Sequence, residues 1–304
     1  MTIGGPGDTS PLKNRRRDAA RIKAKQLRVN QKKKDRRNKA FLQGGIALAG
    51  IAIVVLIAVI IMNSIKPAGP GPKNMASDGV LIGEGMTPVL TPALQPDAAP
   101  RPSEPDTTGA VANIRVYTDY LCPFCGDFEA ANTEQIAEWV KSGAATIEIH
   151  PVSILTSKSA GTKYSLRSAN AAACVANYSP DDFFAFNSAL FVDQPEESST
   201  GRSNEEIKAV VKDSGVSTAL SKINTCIDEG TFEAWVKAAT DRSLDGPIAN
   251  SSITAIKGTP TVLVNGKPYT GSLDDPKEFA SFVQKALGET YSTSTPTPTP
   301  TPTE

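Results

Sequence analysis

Three kinds of hydrophobic pattern run along this 304-residue chain. The first is unbroken. The 26 residues between Lys39 and Lys66 carry no charge, and Phe41–Met62 (FLQGGIALAGIAIVVLIAVIIM) leaves no polar stripe. At about 1.5 Å per residue a helix over that run reaches about 33 Å, enough for a hydrocarbon layer of about 30 Å. The second pattern alternates as strands do: Asn113–Thr118 (NIRVYT), Thr146–Ile149 (TIEI) and Thr261–Val264 (TVLV). The last of these meets Lys267–Tyr269 across Asn265-Gly266, a pair suited to a tight primed hairpin turn. The third pattern has helical spacing. From about Gly161 to Asp245, Phe183, Phe186 and Leu190 form one stripe and Leu220, Ile223 and Ile227 another. Ser203 with Glu206 reads as a capping box, Gly143 can end the helix that follows the first strand, and Asp275-Pro276 opens a last helix ending near Gly288. The order is strand, helix, strand, helical block, hairpin, helix, which is an α/β arrangement.

Charge orients the unbroken run. The net charge of zero is an average: residues 1–40 hold 14 Lys/Arg and 3 Asp/Glu, and the rest of the chain holds 18 and 29. A buried core helix would keep a polar stripe. A cleaved signal peptide would have an apolar region of about 7–15 residues and then small residues, whereas this run is longer and ends in Ile60-Ile61-Met62. We therefore expect one uncleaved transmembrane helix in the cell membrane, with the basic flank in the cytoplasm and everything after Met62 outside. The basic arm lacks aromatics for stacking on bases and any recognisable nucleic-acid module. It reads as a topology signal lying against anionic lipid, and no nucleic-acid partner is expected. The divisions are a basic cytoplasmic segment (1–40), the membrane helix (41–62), a linker (63–107), a domain (108–290, helical insertion about 161–248) and a tail (291–304). Nine prolines between 67 and 105 make the linker a semi-rigid spacer, with one short strand near 79–83 returning to the domain. The Thr/Pro tail has nothing to bury and is expected to be disordered.

The chemistry rests on four cysteines and one histidine. Cys122-Pro123-Phe124-Cys125 sits where a strand passes into a helix. Cys122 falls at the helix N-terminus, where unpaired backbone N–H groups and the helix dipole stabilise a thiolate, and Pro123 takes the first helical position. A lowered pKa makes Cys122 a better nucleophile and leaving group, with Cys125 one turn on to resolve a mixed disulfide. Zinc would need two further ligands, and c-type haem attachment would need His where Gly126 stands. No metal or cofactor is expected. An inert vicinal disulfide is the competing reading. Cys174 and Cys226 lie at apolar-periodic positions of the helical block, in an oxidising compartment, and are read as a structural staple. Closing their loop would contribute about 4 kcal/mol in the chain-entropy model. Gly258-Thr259-Pro260-Thr261 runs straight into a strand. Taken alone, an ordinary trans proline at the strand's first residue accounts for it.

With these residues in place, the chain from about Asn74 to Leu287 resembles the membrane-anchored DsbA-like thiol–disulfide oxidoreductases of actinobacteria, in the thioredoxin superfamily. The resemblance lies in Asp119-Tyr120-Leu121-Cys122-Pro123-Phe124-Cys125, His150-Pro151-Val152-Ser153, Ser168-Ala169-Asn170-Ala171 and Gly258-Thr259-Pro260-Thr261. It implies a thioredoxin-like fold with a helical insertion, Cys122 as nucleophile and Cys125 as resolving thiol. It also implies a cis Thr259-Pro260 pair contacting substrate, a second disulfide at Cys174 and Cys226, and reoxidation by a DsbB- or VKOR-like membrane partner. Two departures stand out. The best-known DsbA has His between its cysteines where this chain has Phe124, so Cys122 should be less acidic and the couple less oxidising. The family's buried acid, six residues before the first Cys, is replaced by Val116. Asp119 is a candidate for its proton-transfer role, and a solvated loop acid is the alternative. His150, at a strand end, is read as structural.

The leading function is an extracytoplasmic oxidase acting on exported protein thiols as a monomer. A reductase or isomerase of the same fold comes next. A redox-inert thioredoxin-fold binding or sensor module is the reading from another class, weakened by the intact Cys122/Cys125 pair.

Overall fold

A computed structural model describes residues 11–64, 69–96 and 98–294. The chain divides into two compact units between Pro67 and Ala68. In the first, one continuous helix, α1 (Pro11–Ser64), carries both the basic arm and the apolar run. Among the described residues no helix is long and apolar enough to cross a membrane. Many side chains of 41–62 fall outside the described set, so the membrane expectation rests on composition.

The second unit is built on a six-stranded sheet. Its strands are β1 (Val80–Gly83), β2 (Thr87–Pro88), β3 (Ala112–Thr118), β4 (Ala145–Pro151), β5 (Thr261–Val264) and β6 (Lys267–Pro268), in the order β2-β1-β4-β3-β5-β6. β3 and β4 are parallel, with Ile114 opposite Ile147 and Tyr117 opposite His150. A parallel pair needs a crossover, supplied by α2 (Pro123–Lys141). That helix ends at Ser142, and Gly143 follows at φ +78°, which a side chain would strain. β5 returns antiparallel to β3, and Asn265-Gly266, both at positive φ, turn the chain into β6. Ile114, Val116, Ile147, Ile149, Val262 and Val264 form one core with Phe128, Ile136 and Val140 of α2 and Phe279 and Val283 of α8 (Pro276–Ser294).

The other face of the sheet corrects the linker expectation. The alternation of TIEI sends Glu148 away from that core, yet Glu148 is buried. Residues Ser77 and Ser103, assigned to a spacer, donate to its carboxylate at 2.5 and 2.8 Å, and Arg115 donates at 2.9 Å. Met75, Val80, Ile82 and Leu94 are buried as well, and Asn74 donates to the Ala176 carbonyl. Much of 69–107 is therefore part of the folded unit. Its prolines stiffen a chain that lies on the sheet, and β1 adds a strand beside β4.

The helical block resolves into α3 (Tyr164–Tyr178), α4 (Phe183–Ala189), α5 (Asn204–Asp213), α6 (Leu220–Glu229) and α7 (Glu233–Asp245). Phe183, Phe186, Leu190 and Ile223 are fully buried, each worth about 2 kcal/mol of transfer free energy. The Ser203/Glu206 capping box forms at the start of α5. Cys174 of α3 and Cys226 of α6 are disulfide-bonded, with Cα atoms 6.0 Å apart. Beside them Asn170 accepts from the Phe232 backbone at 2.8 Å, tying α3 to the start of α7.

α8 runs past Gly288, where an end was expected. Asn265 donates to Thr290 at 2.9 Å, and Lys267 pairs with Glu289, so contacts to the hairpin hold the extra turn. Residues 291–294 of the expected tail are thus helical, and 295–304 lie outside the described residues.

Candidate active site

The dithiol stands where β3 hands over to α2. Cys122 is the N-cap residue in extended conformation (φ −78°, ψ 118°), and no side chain caps the helix. The backbone N–H groups of Cys125 and Gly126 donate to the Cys122 carbonyl at 3.1 and 3.3 Å. Cys122 and Cys125 are both free thiols, 4% and 2% exposed, while Phe124 between them is 61% exposed.

Their acidities diverge. The Cys125 thiol donates to Cys122 and lowers its pKa from 9.0 to about 7. Burial opposes that shift, the Thr259 hydroxyl assists it, and the charge of Asp119 works against it. Burial pushes Cys125 well above the ordinary thiol value, and the neighbouring Cys122 sulfur adds to the rise. One sulfur is thus ready as thiolate at neutral pH and the other is kept as thiol, the division of labour that nucleophile and resolving group require. A value near 7 is that of thioredoxin and well above the roughly 3.5 of DsbA, as expected with Phe124 in place of His.

Strand register brings in the second half of the site. Tyr117 of β3 pairs with Thr261 of β5, so the chain entering β5 lies beside the chain leaving β3. The Thr259–Pro260 bond is cis, and the Cys122 thiol donates to the Thr259 carbonyl at 3.1 Å across 137 residues of sequence. That carbonyl accepts only, so this contact belongs to the thiol form, and the Thr259 hydroxyl serves the thiolate. A second cis bond, Gly246–Pro247, had no sequence signal.

Asp119 is fully buried, which excludes the solvated-loop alternative. Its carboxylate accepts from the backbone of Leu121 (3.0 Å) and Leu155 (2.9 Å) and from the Ser165 hydroxyl (2.8 Å). Burial raises its pKa despite these bonds. They join the active-site loop to the segment after β4 and to α3, and they end on two backbone N–H groups and a hydroxyl. His150 is buried in β4, stacked on Tyr117 at 4.5 Å between ring centroids, with Nε2 3.4 Å from Glu148. Val116, at the family's acid position, is core.

Sequence reasoning missed Gln194. From the loop after α4 its carboxamide donates to the carbonyls of Tyr120 (3.1 Å) and Cys122 (2.9 Å). Nothing in its neighbourhood, FVDQPEE, carries a motif, and only the fold brings it 72 residues back to the dithiol.

Known proteins agree with this geometry. A thioredoxin family model matches residues 107–285, more than half of the chain. The structure of reduced DsbA from Mycobacterium tuberculosis is similar, with 27% identity and a TM-score of 0.50 over 72% of this chain and all of that one. Reduced disulfide-bond oxidoreductase DsbG from the same organism shows 28% identity and a TM-score of 0.51, covering 76% of this chain and 97% of that one. The serine/threonine-protein kinase PknE of M. tuberculosis is 28% identical over 137 residues, 43% of this chain. The match spans only 24% of the length of that kinase. With its cysteine pair at a strand-to-helix junction, facing a cis proline, the chain belongs to the thioredoxin family, and its dithiol domain is that of a protein thiol–disulfide oxidoreductase.

Proposed function

We propose that this protein is a membrane-anchored oxidase that forms disulfides in exported proteins through the Cys122–Cys125 couple. The observation that carries the reading is the free Cys122/Cys125 pair at the N-terminus of α2, with the Cys122 thiol 3.1 Å from the Thr259 carbonyl at a cis Thr259–Pro260 bond. In the oxidised enzyme a substrate thiolate attacks Cys122 Sγ. The Cys122–Cys125 bond breaks, and Cys125 leaves with the electron pair and takes up a proton. A second substrate thiolate then attacks the substrate sulfur of the mixed disulfide and expels Cys122 as a thiolate. Two electrons pass from substrate dithiol to enzyme dithiol, and a DsbB- or VKOR-like membrane partner removes them. The exposed Phe124 and the Thr259-cis-Pro260 turn flank the point of attack, where Phe124 offers an apolar contact to an extended peptide.

The compartment sets the direction. The apolar run 41–62 and its basic flank support an anchor with the domain outside, where exported chains need disulfides. Alkaline carbonate extraction should leave the full chain in the membrane pellet, and its release would remove the anchor. A second reading, a reductase, draws support from the thioredoxin-like acidity of Cys122. The reduction potential of the full chain in detergent, titrated against glutathione, separates the two. About −120 to −180 mV supports oxidase or isomerase, and about −270 mV supports reductase. A pair that does not titrate would leave only the redox-inert binding module.

A further inference from the structure

We infer that Gln194 is a positioning residue that sets the acidity of the Cys122 thiol, and through it the poise of the couple, by holding the carbonyls of Tyr120 and Cys122 from the helical block. The inference rests on the oxidoreductase reading and adds to it a control point outside the thioredoxin core.

The geometry is specific. One side-chain nitrogen, Nε2, donates to two carbonyls of the same turn, at 3.1 and 2.9 Å. The Cys122 carbonyl already accepts from the N–H groups of Cys125 and Gly126, and the amide of Gln194 adds positive dipole at the oxygen nearest the nucleophilic residue. Offsetting that carbonyl's partial negative charge favours the thiolate, and fixing the Tyr120–Cys122 peptide units keeps the sulfur in register with Thr259. The titratable groups facing Cys122 are Cys125 and Asp119, with Glu197 acting on Asp119 from the same loop as Gln194. None of them replaces the donor.

The loop is braced for this task. Arg202 donates to the Leu190 and Asp193 carbonyls at 2.8 and 3.0 Å and also bonds the Val192 carbonyl. Arg167 of α3 in turn donates to the Arg202 carbonyl at 2.6 Å. Gly126 supplies an independent observation. A Cβ at that position would lie 2.4 Å from Gln194 Oε1 and 3.8 Å from its next neighbour, Phe191. The residue after the second cysteine must therefore be small for Gln194 to reach the turn, and a methyl group there would move a flexible carboxamide and leave the fold in place.

The test compares the full chain with its Gln194→Met and Gly126→Ala variants. In each, Cys122 thiolate formation is read by absorbance at about 240 nm and the dithiol equilibrium is read against glutathione. A whole neutral hydrogen bond is worth about a factor of two to ten in an equilibrium constant, and only the part that differs between thiol and thiolate reaches the pKa. Both variants should therefore raise the apparent Cys122 pKa by up to about 1 unit and shift the equilibrium toward the disulfide by a similar factor. Unfolding midpoints and the Cys174–Cys226 bond serve as controls for the fold. A wild-type pair that titrates normally while neither variant moves would overturn the positioning role alone. A wild-type pair that does not titrate would overturn the oxidoreductase reading and this role with it.

Discussion

Ionisation of Cys122 should make the reduced protein more stable as pH rises through neutrality. Its folded value, about 7, lies below its ordinary value of 9.0. An acid depressed in the folded state stabilises the fold fully above its unfolded value, and that contribution is lost as pH falls through the folded value. The window is therefore pH 7 to 9. The full shift corresponds to about 2.7 kcal/mol above pH 9, and about half of that is present at pH 8. Screening by the solvent around exposed Phe124 reduces this to about 1 kcal/mol between pH 6 and 8. Cys125, shifted upward, opposes this only above the ordinary thiol value. The assay is urea unfolding under reductant, followed by the fluorescence of Trp139 and Trp235, both of which lie in the second unit. Reduced Cys122→Ser is run in parallel, so other titrating groups and the Cys174–Cys226 bond cancel. Wild type should gain about 1 kcal/mol over the variant between the two pH values. Parallel pH trends within about 0.3 kcal/mol would refute a stabilised thiolate, and with it the basis for calling Cys122 the nucleophile.

Three further perturbations address other parts of the site. Thr259→Val keeps the shape and removes the hydroxyl that serves the thiolate, so alkylation at neutral pH should report a Cys122 pKa higher by up to about one unit. An unchanged rate would remove Thr259 from the electrostatics. Asp119→Asn removes a charge that opposes the thiolate while keeping an acceptor for Leu121, Leu155 or Ser165. The Cys122 pKa should fall, at a stability cost of about 1–3 kcal/mol, and a rise would contradict the assigned sign. Replacing Cys174 and Cys226 together by Ala should cost about 2–4 kcal/mol, with Tm falling by about 4–16 °C while the Cys122–Cys125 potential stays put. A potential that moved with it would mean that the staple acts on the active site as well as on the helical block.

Much of the site was legible because it is local. The helix start at Pro123, the N-terminal placement of Cys122, the capping box at Ser203 and the Asn265-Gly266 turn each depend on a few consecutive residues and on backbone preferences that act within one turn. The periodic stripes of Phe183, Phe186 and Leu190 likewise show their burial in their spacing. What the chain alone could not disclose involves partners far apart in sequence. Glu148 lies in an alternating strand, on the face turned away from the Phe128 and Phe279 core. It is buried because Ser77, Ser103 and Arg115 meet it there, so a proline-rich stretch that looks like a spacer is a layer on the sheet. Gly288 reads as a helix stop, and the hairpin residues Asn265 and Lys267 carry α8 past it. Asp119 could be a solvated acid or a buried one, and the backbone of Leu155 and the hydroxyl of Ser165 decide that it is buried. Gln194 has no local signal at all. A side-chain amide gains its role from the two carbonyls it reaches, and those lie 74 and 72 residues away. Local backbone chemistry thus determines where the nucleophile sits and places Cys125, the first source of its acidity, one turn on, while the non-local pairing of β3 with β5 decides that the Thr259 hydroxyl reaches the same sulfur.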